Sequence, residues 1–310
     1  MSTWTTLKLI EWTSDYFQKN GIPNPRLDAE LLLSHILNKK RIDLYLAFDQ
    51  TVSETDLATF KGYIQRRVKR EPLQYITGVQ EFWGLPIKVT PDVLIPRPET
   101  ELLVEYTLKN LPPTQSLPLE GGGKREGVIT ILDLCTGSGF IISALASELT
   151  NAQFVGTDIS EKALEIAKFN TEKWKERVEL LHGDLFKLLS PPPKPSHLEA
   201  EGQGEGAFDL IVSNPPYVPE SQIMILQPEI KDYEPKIALV AEDNGLAIIR
   251  KIVNDAPKYL RKDGRLVMEI GDGQAEEVKK IIADNGSYGK IEIIKDYGGI
   301  ERIIITNFKS

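Results

Sequence analysis

The chain of 310 residues has little of what metal and redox chemistry needs. It holds one cysteine, Cys135, and three histidines, His35, His182 and His197, far apart from one another. A single cysteine cannot close an internal disulfide, which points to a reducing compartment, and scattered histidines form no zinc cluster, so no metal is expected. Apolar runs of membrane-spanning length are missing, and no membrane contact is expected. The opening residues, Met1, Ser2, Thr3, Trp4 and Thr5, lack the basic and apolar segments of a secretory signal. These absences lead to an expected cytoplasmic location. Positive charge is in the minority: 37 Lys and Arg stand against 45 Asp and Glu, a net charge of −8. A broad nucleic-acid-gripping face is therefore not expected, although a local basic patch fits such a balance. What is present is ordinary for a globular protein. At 41% hydrophobic and 26% charged, the chain can build a sizeable core in one large domain or two smaller ones.

Residues 1–72 read as helical. Leu7, Ile10, Phe17 and then Leu27, Leu31, Leu32, Ile36 recur at helical spacing, and Pro23 and Pro25 separate the first helix from the second. Ser53 is the expected N-cap of a helix running through Leu57, Phe60, Ile64 and Val68. Its end carries Lys61, Arg66, Arg67, Lys69 and Arg70, which reads either as a solvated helix face or as a surface for an anionic partner. Residues 73–97 turn extended, with a β-hairpin expected near Phe82 and Trp83, and Pro98 suits the first turn of a following helix.

Two segments, 112–127 and 191–206, share a proline start, a Leu-Glu pair and a Gly/Glu-rich end. Neither can build a core, so both read as flexible surface loops. Outside them, from residue 128 on, apolar strands alternate with helical segments. That succession predicts an α/β fold: an open, mainly parallel sheet with helices on both faces and an antiparallel strand at one edge, supplied by the closing hairpin around Gly298 and Gly299.

Chemistry is legible in two places. Asp133, Leu134, Cys135, Thr136, Gly137, Ser138 and Gly139 follow the first strand of the alternating region and open a helix, a position where glycines admit a ligand close to the backbone. Asp158 ends the next strand, where an acidic residue can bind ribose hydroxyls, and Asp184 follows the third, within reach of an adenine amino group. These features fit either a dinucleotide or S-adenosylmethionine. The second place is Asn214, Pro215, Pro216 and Tyr217, directly after the apolar strand Phe208–Ser213. An amide-type or exocyclic nitrogen is planar, with its lone pair delocalised and no proton that an ordinary base removes at neutral pH. The Asn214 side-chain oxygen and the Pro215 carbonyl can accept its two N–H groups and aim the lone pair at an electrophilic carbon, with Tyr217 stacked on the planar group. Positioning of this kind can lower a barrier by roughly 7–11 kcal/mol.

These residues resemble the class I S-adenosylmethionine-dependent methyltransferases, and within them the release factor glutamine N5-methyltransferases. The closer likeness lies in Val93 to Glu101, Ser213 to Tyr217, Tyr233 to Leu239, Asp296 to Arg302, and the helical stretch Asp28 to Leu33. The resemblance implies a Rossmann-like methyltransferase domain over 98–310, a hairpin linker over 73–97 and a helical substrate-binding domain over 1–72. It implies a methyl group passed from S-adenosylmethionine, leaving S-adenosylhomocysteine, to the glutamine of the Gly-Gly-Gln motif in peptide chain release factors. Cofactor contacts are expected from Cys135, Thr136, Gly137, Ser138, Gly139, Asp158, Asp184, Leu185 and Asn214. Substrate contacts are expected from Asn214, Pro215, Pro216, Tyr217, Arg97 and Glu99, in an enzyme acting as a monomer. A ribosomal-protein glutamine or an adenine N6 nitrogen are the alternative acceptors. One position departs from the family: Cys135 stands where its loop usually begins with glycine. An ordinary φ or a slightly shifted loop is expected there, with the thiol as a small packing residue.

Overall fold

The computed structural model describes residues 4–111, 116–118, 124–126, 128–189 and 208–309. The chain divides into one unit of Met1–Val79 with Gln227–Tyr233 and another of Gln80–Leu226 with Glu234–Ser310. The first unit thus runs past residue 72 and takes in a segment from late in the chain.

The first unit is helical: α1 (Thr6–Lys19), α2 (Pro25–Leu37), α3 (Arg41–Leu46), α4 (Glu54–Val68), α5 (Leu73–Thr77) and, from the late segment, α9 (Pro228–Lys231). Local chemistry sets their ends. The Thr5 and Ser53 side chains accept from the Lys8 and Asp56 amides at the starts of α1 and α4. Proline opens α2, and Asn38 closes it in the left-handed conformation. Leu9, Phe17, Leu32, Leu33, Phe60 and Ile64 form its core.

In the basic run at the end of α4, Lys61 and Lys69 are solvated as one reading expected, while the arginines are engaged within the unit. Arg67 is buried; its Nε donates to Asp28 Oδ2 at 2.7 Å and its terminal nitrogens to Glu229 Oε1 at 3.1 Å. Arg70 donates to Glu229 Oε2 at 2.8 Å, and Arg66 grips Glu71 at 2.8 and 2.6 Å. The Tyr233 hydroxyl donates to the Lys69 carbonyl at 2.6 Å. The arginines are spent inside the unit, holding the 227–233 segment to α4.

The second unit opens with the expected hairpin, β1 (Val79–Phe82) and β2 (Leu85–Lys88), followed by α6 (Glu101–Lys109). The first insert contains a short antiparallel ladder, β3 (Ser116–Pro118) with β4 (Lys124–Glu126), so part of it is ordered backbone pairing rather than loop. The second insert lies outside the described residues. Then come β5 (Ile129–Leu134), α7 (Phe140–Glu148), β6 (Ala152–Asp158), α8 (Glu161–Thr171), β7 (Val178–His182), β8 (Phe208–Ser213), the two-residue β9 (Val218–Pro219) and β10 (Val240–Ala241), α10 (Ala247–Asp255), β11 (Leu260–Glu269), α11 (Ala275–Asn285), β12 (Tyr288–Lys295) and β13 (Glu301–Phe308).

Seven strands form one sheet in the order β12-β13-β11-β8-β5-β6-β7. All neighbours from β11 to β7 run parallel, and the closing hairpin supplies the antiparallel element, with β13 reversed between β11 and β12. Leu210, Ile211 and Val212 on β8 have no exposed surface, as expected of a strand covered on both faces. Among the parallel strands the order contains one reversal. From β5 the chain steps to β6 and β7 on one side, then returns to β8 on the other. Crevices at such reversals, beyond the carboxyl ends of the strands, are where open α/β sheets bind ligands. Among the described residues, no helix is long and apolar enough to cross a membrane.

Candidate active site

The loops after β5, β6, β7 and β8 meet at this reversal around a cavity of about 380 Å³. The loop after β5 is tied at Thr136, whose amide donates to the Thr157 carbonyl at 3.0 Å and whose hydroxyl donates to Asp133 Oδ2 at 2.6 Å. Asp133 is fully buried with Oδ1 unpartnered, and burial pushes its carboxyl up to about 8. Gly139 caps α7 at φ +73°, and a Cβ there would stand 3.0 Å from Ala167 Cβ, so glycine lets α7 close on α8. Gly137, at φ +55°, has nothing nearer than the Cys135 carbonyl at 4.0 Å from its missing Cβ, which leaves its backbone open to the cavity.

Cys135 overturns the expectation of an ordinary φ: it sits at +60°, in the left-handed region, and its side chain packs against the hydrophobic core. Leu185, also on the cavity wall, sits at +54°. Left-handed backbone in such residues costs on the order of 1–3 kcal/mol and gathers at functional sites.

Asp158 Oδ2 accepts from the Gly137 amide at 2.8 Å and Oδ1 from the Ser160 amide at 2.9 Å. Burial raises its pKa, and these backbone bonds pull in the opposite direction. Each oxygen retains a lone pair for a ligand hydroxyl. Asp184 Oδ2 accepts from Lys187 Nζ at 2.7 Å.

The segment after β8 is clamped from several sides. Ser213 Oγ donates to the Leu134 carbonyl at 2.8 Å, tying β8 to β5 where their loops diverge. Asn214 Nδ2 donates to Thr100 Oγ1 at 3.3 Å, so its Oδ1, which takes no hydrogen bond among the described residues, is turned away from Thr100. The Tyr217 hydroxyl donates to Glu269 Oε1 at 2.9 Å; burial, then that carboxylate, raise the phenol pKa. Gln274 Nε2 donates to the Tyr217 carbonyl at 3.0 Å, while Gln274 Oε1 accepts from the Gly271 amide at 2.8 Å. A Cβ on Gly245 would come within 2.0 Å of the Tyr217 carbonyl oxygen, so this approach requires glycine. Nearby, Arg97 donates to Glu234 Oε1 at 2.5 Å, and Glu234 Oε2 accepts from the Ile95 amide at 3.3 Å.

Of the residues named from sequence, Cys135, Gly137, Asp158, Asp184, Leu185, Asn214 and Pro216 line the cavity. Thr136 and Ser138 are buried beneath it, and Gly139 belongs to the cap of α7. Pro215 is buried, Tyr217 is half-buried with its hydroxyl on Glu269, Arg97 is engaged with Glu234, and Glu99 is exposed. Sequence reasoning missed Asp92, Ile237, Ala238 and Glu242 on the wall, and Thr100, Glu269 and Gln274 behind it. Glu269 left a signal, an acidic residue closing the apolar stretch Leu266, Val267, Met268.

Comparison with known proteins adds independent findings. Residues 8–78 match the PrmC N-terminal domain, and residues 126–303 match a methyltransferase domain. A release factor glutamine methyltransferase of Geobacter sulfurreducens is 41% identical over 301 residues, 97% of this chain and 96% of its own. One from Rhodopirellula baltica is 38% identical over 303 residues, 97% of this chain and 95% of its own. Among solved structures, a methyltransferase from Pyrococcus furiosus aligns over 79% of this chain and 98% of its own with a TM-score of 0.50; at 20% identity it bears on the fold alone.

Proposed function

The chain belongs to the release factor glutamine methyltransferases, and from that premise we propose that it methylates the side-chain amide nitrogen (N5) of the glutamine in the Gly-Gly-Gln motif of peptide chain release factors, using S-adenosylmethionine. The observation that carries this reading is the Asn214 amide. It stands on the wall of the cavity that also holds Asp158 and Asp184, with Nδ2 fixed by Thr100 and Oδ1 left to accept.

The cavity suits that cofactor. Asp92, Asp158, Asp184 and Glu242 outnumber Lys251 on its wall, which favours a ligand with a sulfonium charge, and the open backbone at Gly137 provides a cradle that any side chain would fill. Asp158 would hold the ribose hydroxyls, Asp184 the adenine amino group with Leu185 beside it, and Cys135 to Gly139 the loop against the rest. Bound S-adenosylmethionine supplies the electrophilic methyl group and is left as S-adenosylhomocysteine. Asn214 Oδ1 and the Pro215 carbonyl accept the two N–H groups of the glutamine amide and fix its plane. Two consecutive prolines stiffen the backbone that presents the carbonyl. Pro216 and Tyr217 wall the amide and keep water from it. Arg97 acts on the substrate side by fixing Glu234, three residues ahead of Ile237 on the cavity wall, and Glu99 remains open for the incoming loop. The helical unit grips the body of the factor, since binding remote from the reacting amide supplies the selectivity one glutamine side chain cannot. The enzyme acts as a cytoplasmic monomer.

Tritiated S-adenosylmethionine offered with release factor, its Gln→Ala variant and adenine-containing DNA tests this reading. Label is expected in the intact factor alone. Asn214→Ala should lose about 10²–10³ in kcat with its melting temperature unchanged, the scale of one lost preorganised bond. Label in DNA, or equal label in the Gln→Ala factor, overturns the assignment.

A further inference from the structure

We infer that Glu269 is the positioning residue for both side chains that handle the substrate amide, holding Tyr217 directly and Asn214 through Thr100. The inference rests on the reading of the site as a glutamine methyltransferase.

Glu269 ends β11, and Met268 pairs with Ser213 on the parallel strand β8, so the carboxylate comes level with Asn214. It is 2% exposed, yet no ion pair reaches it among the described residues. A carboxylate buried this way is expensive unless its oxygens are used. Oε1 is used by Tyr217 at 2.9 Å. Oε2 is buried without a hydrogen-bond partner among the described residues. Burial raises the carboxyl pKa, and the Thr100 hydroxyl is the first group that pulls it back, ahead of Tyr217 and Arg302.

Thr100 has no exposed surface and a single hydroxyl proton. Its oxygen accepts from Asn214 Nδ2 at 3.3 Å, so its proton must point elsewhere, and in this relay it goes to Glu269 Oε2, which is left without another partner among the described residues. Donation then runs one way, from Asn214 through Thr100 to Glu269, with Tyr217 arriving from the other side. With Glu269 ionised, and so an acceptor only, the relay cannot reverse. It holds the Asn214 amide with Nδ2 inward and Oδ1 toward the cavity, the polarity needed to receive N–H groups. A neutral amide at 269 would break this logic. Its nitrogen would donate to Thr100, the Thr100 proton would turn to Asn214, and the Asn214 amide would favour the flipped state that presents a donor to the substrate's own N–H groups.

The test uses the full-length enzyme, purified release factor and four variants: E269Q, T100V, T100S and the double variant E269Q/T100V. Steady-state kinetics give kcat and KM, titration calorimetry gives S-adenosylmethionine affinity, and melting curves monitor folding. E269Q and T100V should each lose about 100-fold in kcat, with KM and cofactor affinity within about twofold. T100S, which keeps the hydroxyl, should restore most of the rate. The double variant should be no slower than E269Q alone, because both changes cut one relay. Losses that multiply in the double variant, an E269Q enzyme near the wild-type rate, or cofactor affinity falling in step with kcat would overturn the inference. Should E269Q fail to fold, the T100V and T100S pair decides: loss with recovery supports the relay, and a T100V enzyme at full rate removes it. A wild type that leaves the factor unlabelled overturns the functional reading and this inference with it. A wild type that labels the factor beside unaffected variants overturns this inference alone.

Discussion

In the helical unit, the Glu30 side chain is 2% exposed and meets Arg41 at 2.6 Å and Arg26 at 3.1 Å; in the sheet unit, Glu269 is equally buried and is bonded by the Tyr217 hydroxyl, with no basic partner among the described residues. The contrast extends to several other buried acids, although Glu234 and Asp296 of the sheet unit also pair with Arg97 and Arg302. Against the upward push of burial, the Tyr45 hydroxyl and Arg41 hold Glu30 below the usual carboxylate range, and backbone and arginine contacts do the same for Glu229. Asp28 goes up, because burial there outweighs the bond from Arg67. In the sheet unit Asp133, Asp158 and Glu269 all go up, burial first in each case, and no arginine or lysine bonds to any of them among the described residues. Paired charges hold helices together and cancel. A buried acid left without a basic partner instead holds its proton more readily, which makes it responsive to pH.

Breaking a pair should therefore cost stability most in the helical unit. Arg67→Ala strands Asp28 and takes one of two arginines from Glu229, so a loss of about 3–5 kcal/mol is expected, as for other broken buried pairs. Urea denaturation followed by helical circular dichroism measures it. Adding Asp28→Leu should recover part of the loss by removing the stranded charge. A single variant as stable as wild type would place the network among surface pairs worth little.

The sheet unit should answer to pH instead. Asp133 binds its proton up to about 8 in the folded chain, against an ordinary value of 3.8. Its contribution is fully present below the unfolded value and is lost as pH rises through the folded one, at up to about 1.4 kcal/mol per pH unit. Asp133→Asn keeps an acceptor for Thr136 and cannot ionise. Relative to wild type it should gain about 3 kcal/mol between pH 5 and pH 7 in denaturant midpoints. Parallel pH profiles for the two proteins would show that Asp133 is ionised in the fold.

Much of this was legible because the signals are local. Ser53 announces its cap, and the alternation of strands and helices announces the sheet. Asp158, Asp184 and Asn214 converge because each follows a strand of one parallel sheet, and the carboxyl ends of such strands share one side. What escaped depends on distant partners or on backbone. Arg67 reads as solvated until Glu229, far along the chain, closes on it. Thr100 sits in a stretch marked by resemblance, yet its bond to Asn214 spans more than a hundred residues of sequence. The start of β11 at Leu260 leaves no local signal, because its register breaks before Arg265, across Asp263 at φ +60°.

The smallest effect expected concerns a feature that only backbone geometry discloses. Cys135 holds a φ of +60° that glycine adopts freely. Cys135→Gly relieves about 1–2 kcal/mol of left-handed strain, while a freer unfolded chain takes back about 0.4–1 kcal/mol. Loss of the thiol from the core removes a little more, so the net gain should be small, within about 1 kcal/mol. Cys135→Val puts a branched side chain on the same backbone and should fall below wild type. The order Gly, Cys, Val in melting temperature is therefore the expected result, and a valine variant as stable as wild type would show an unstrained φ. The same thiol also reports the unpaired charge of this unit. Burial, then Asp158, then Asp133 push its pKa well above the ordinary range, so little thiolate forms near neutral pH. Iodoacetamide should modify it slowly, and faster once Asp158→Asn removes the nearer charge. An unchanged rate would mean that burial alone protects the sulfur and that the carboxylate exerts no field there.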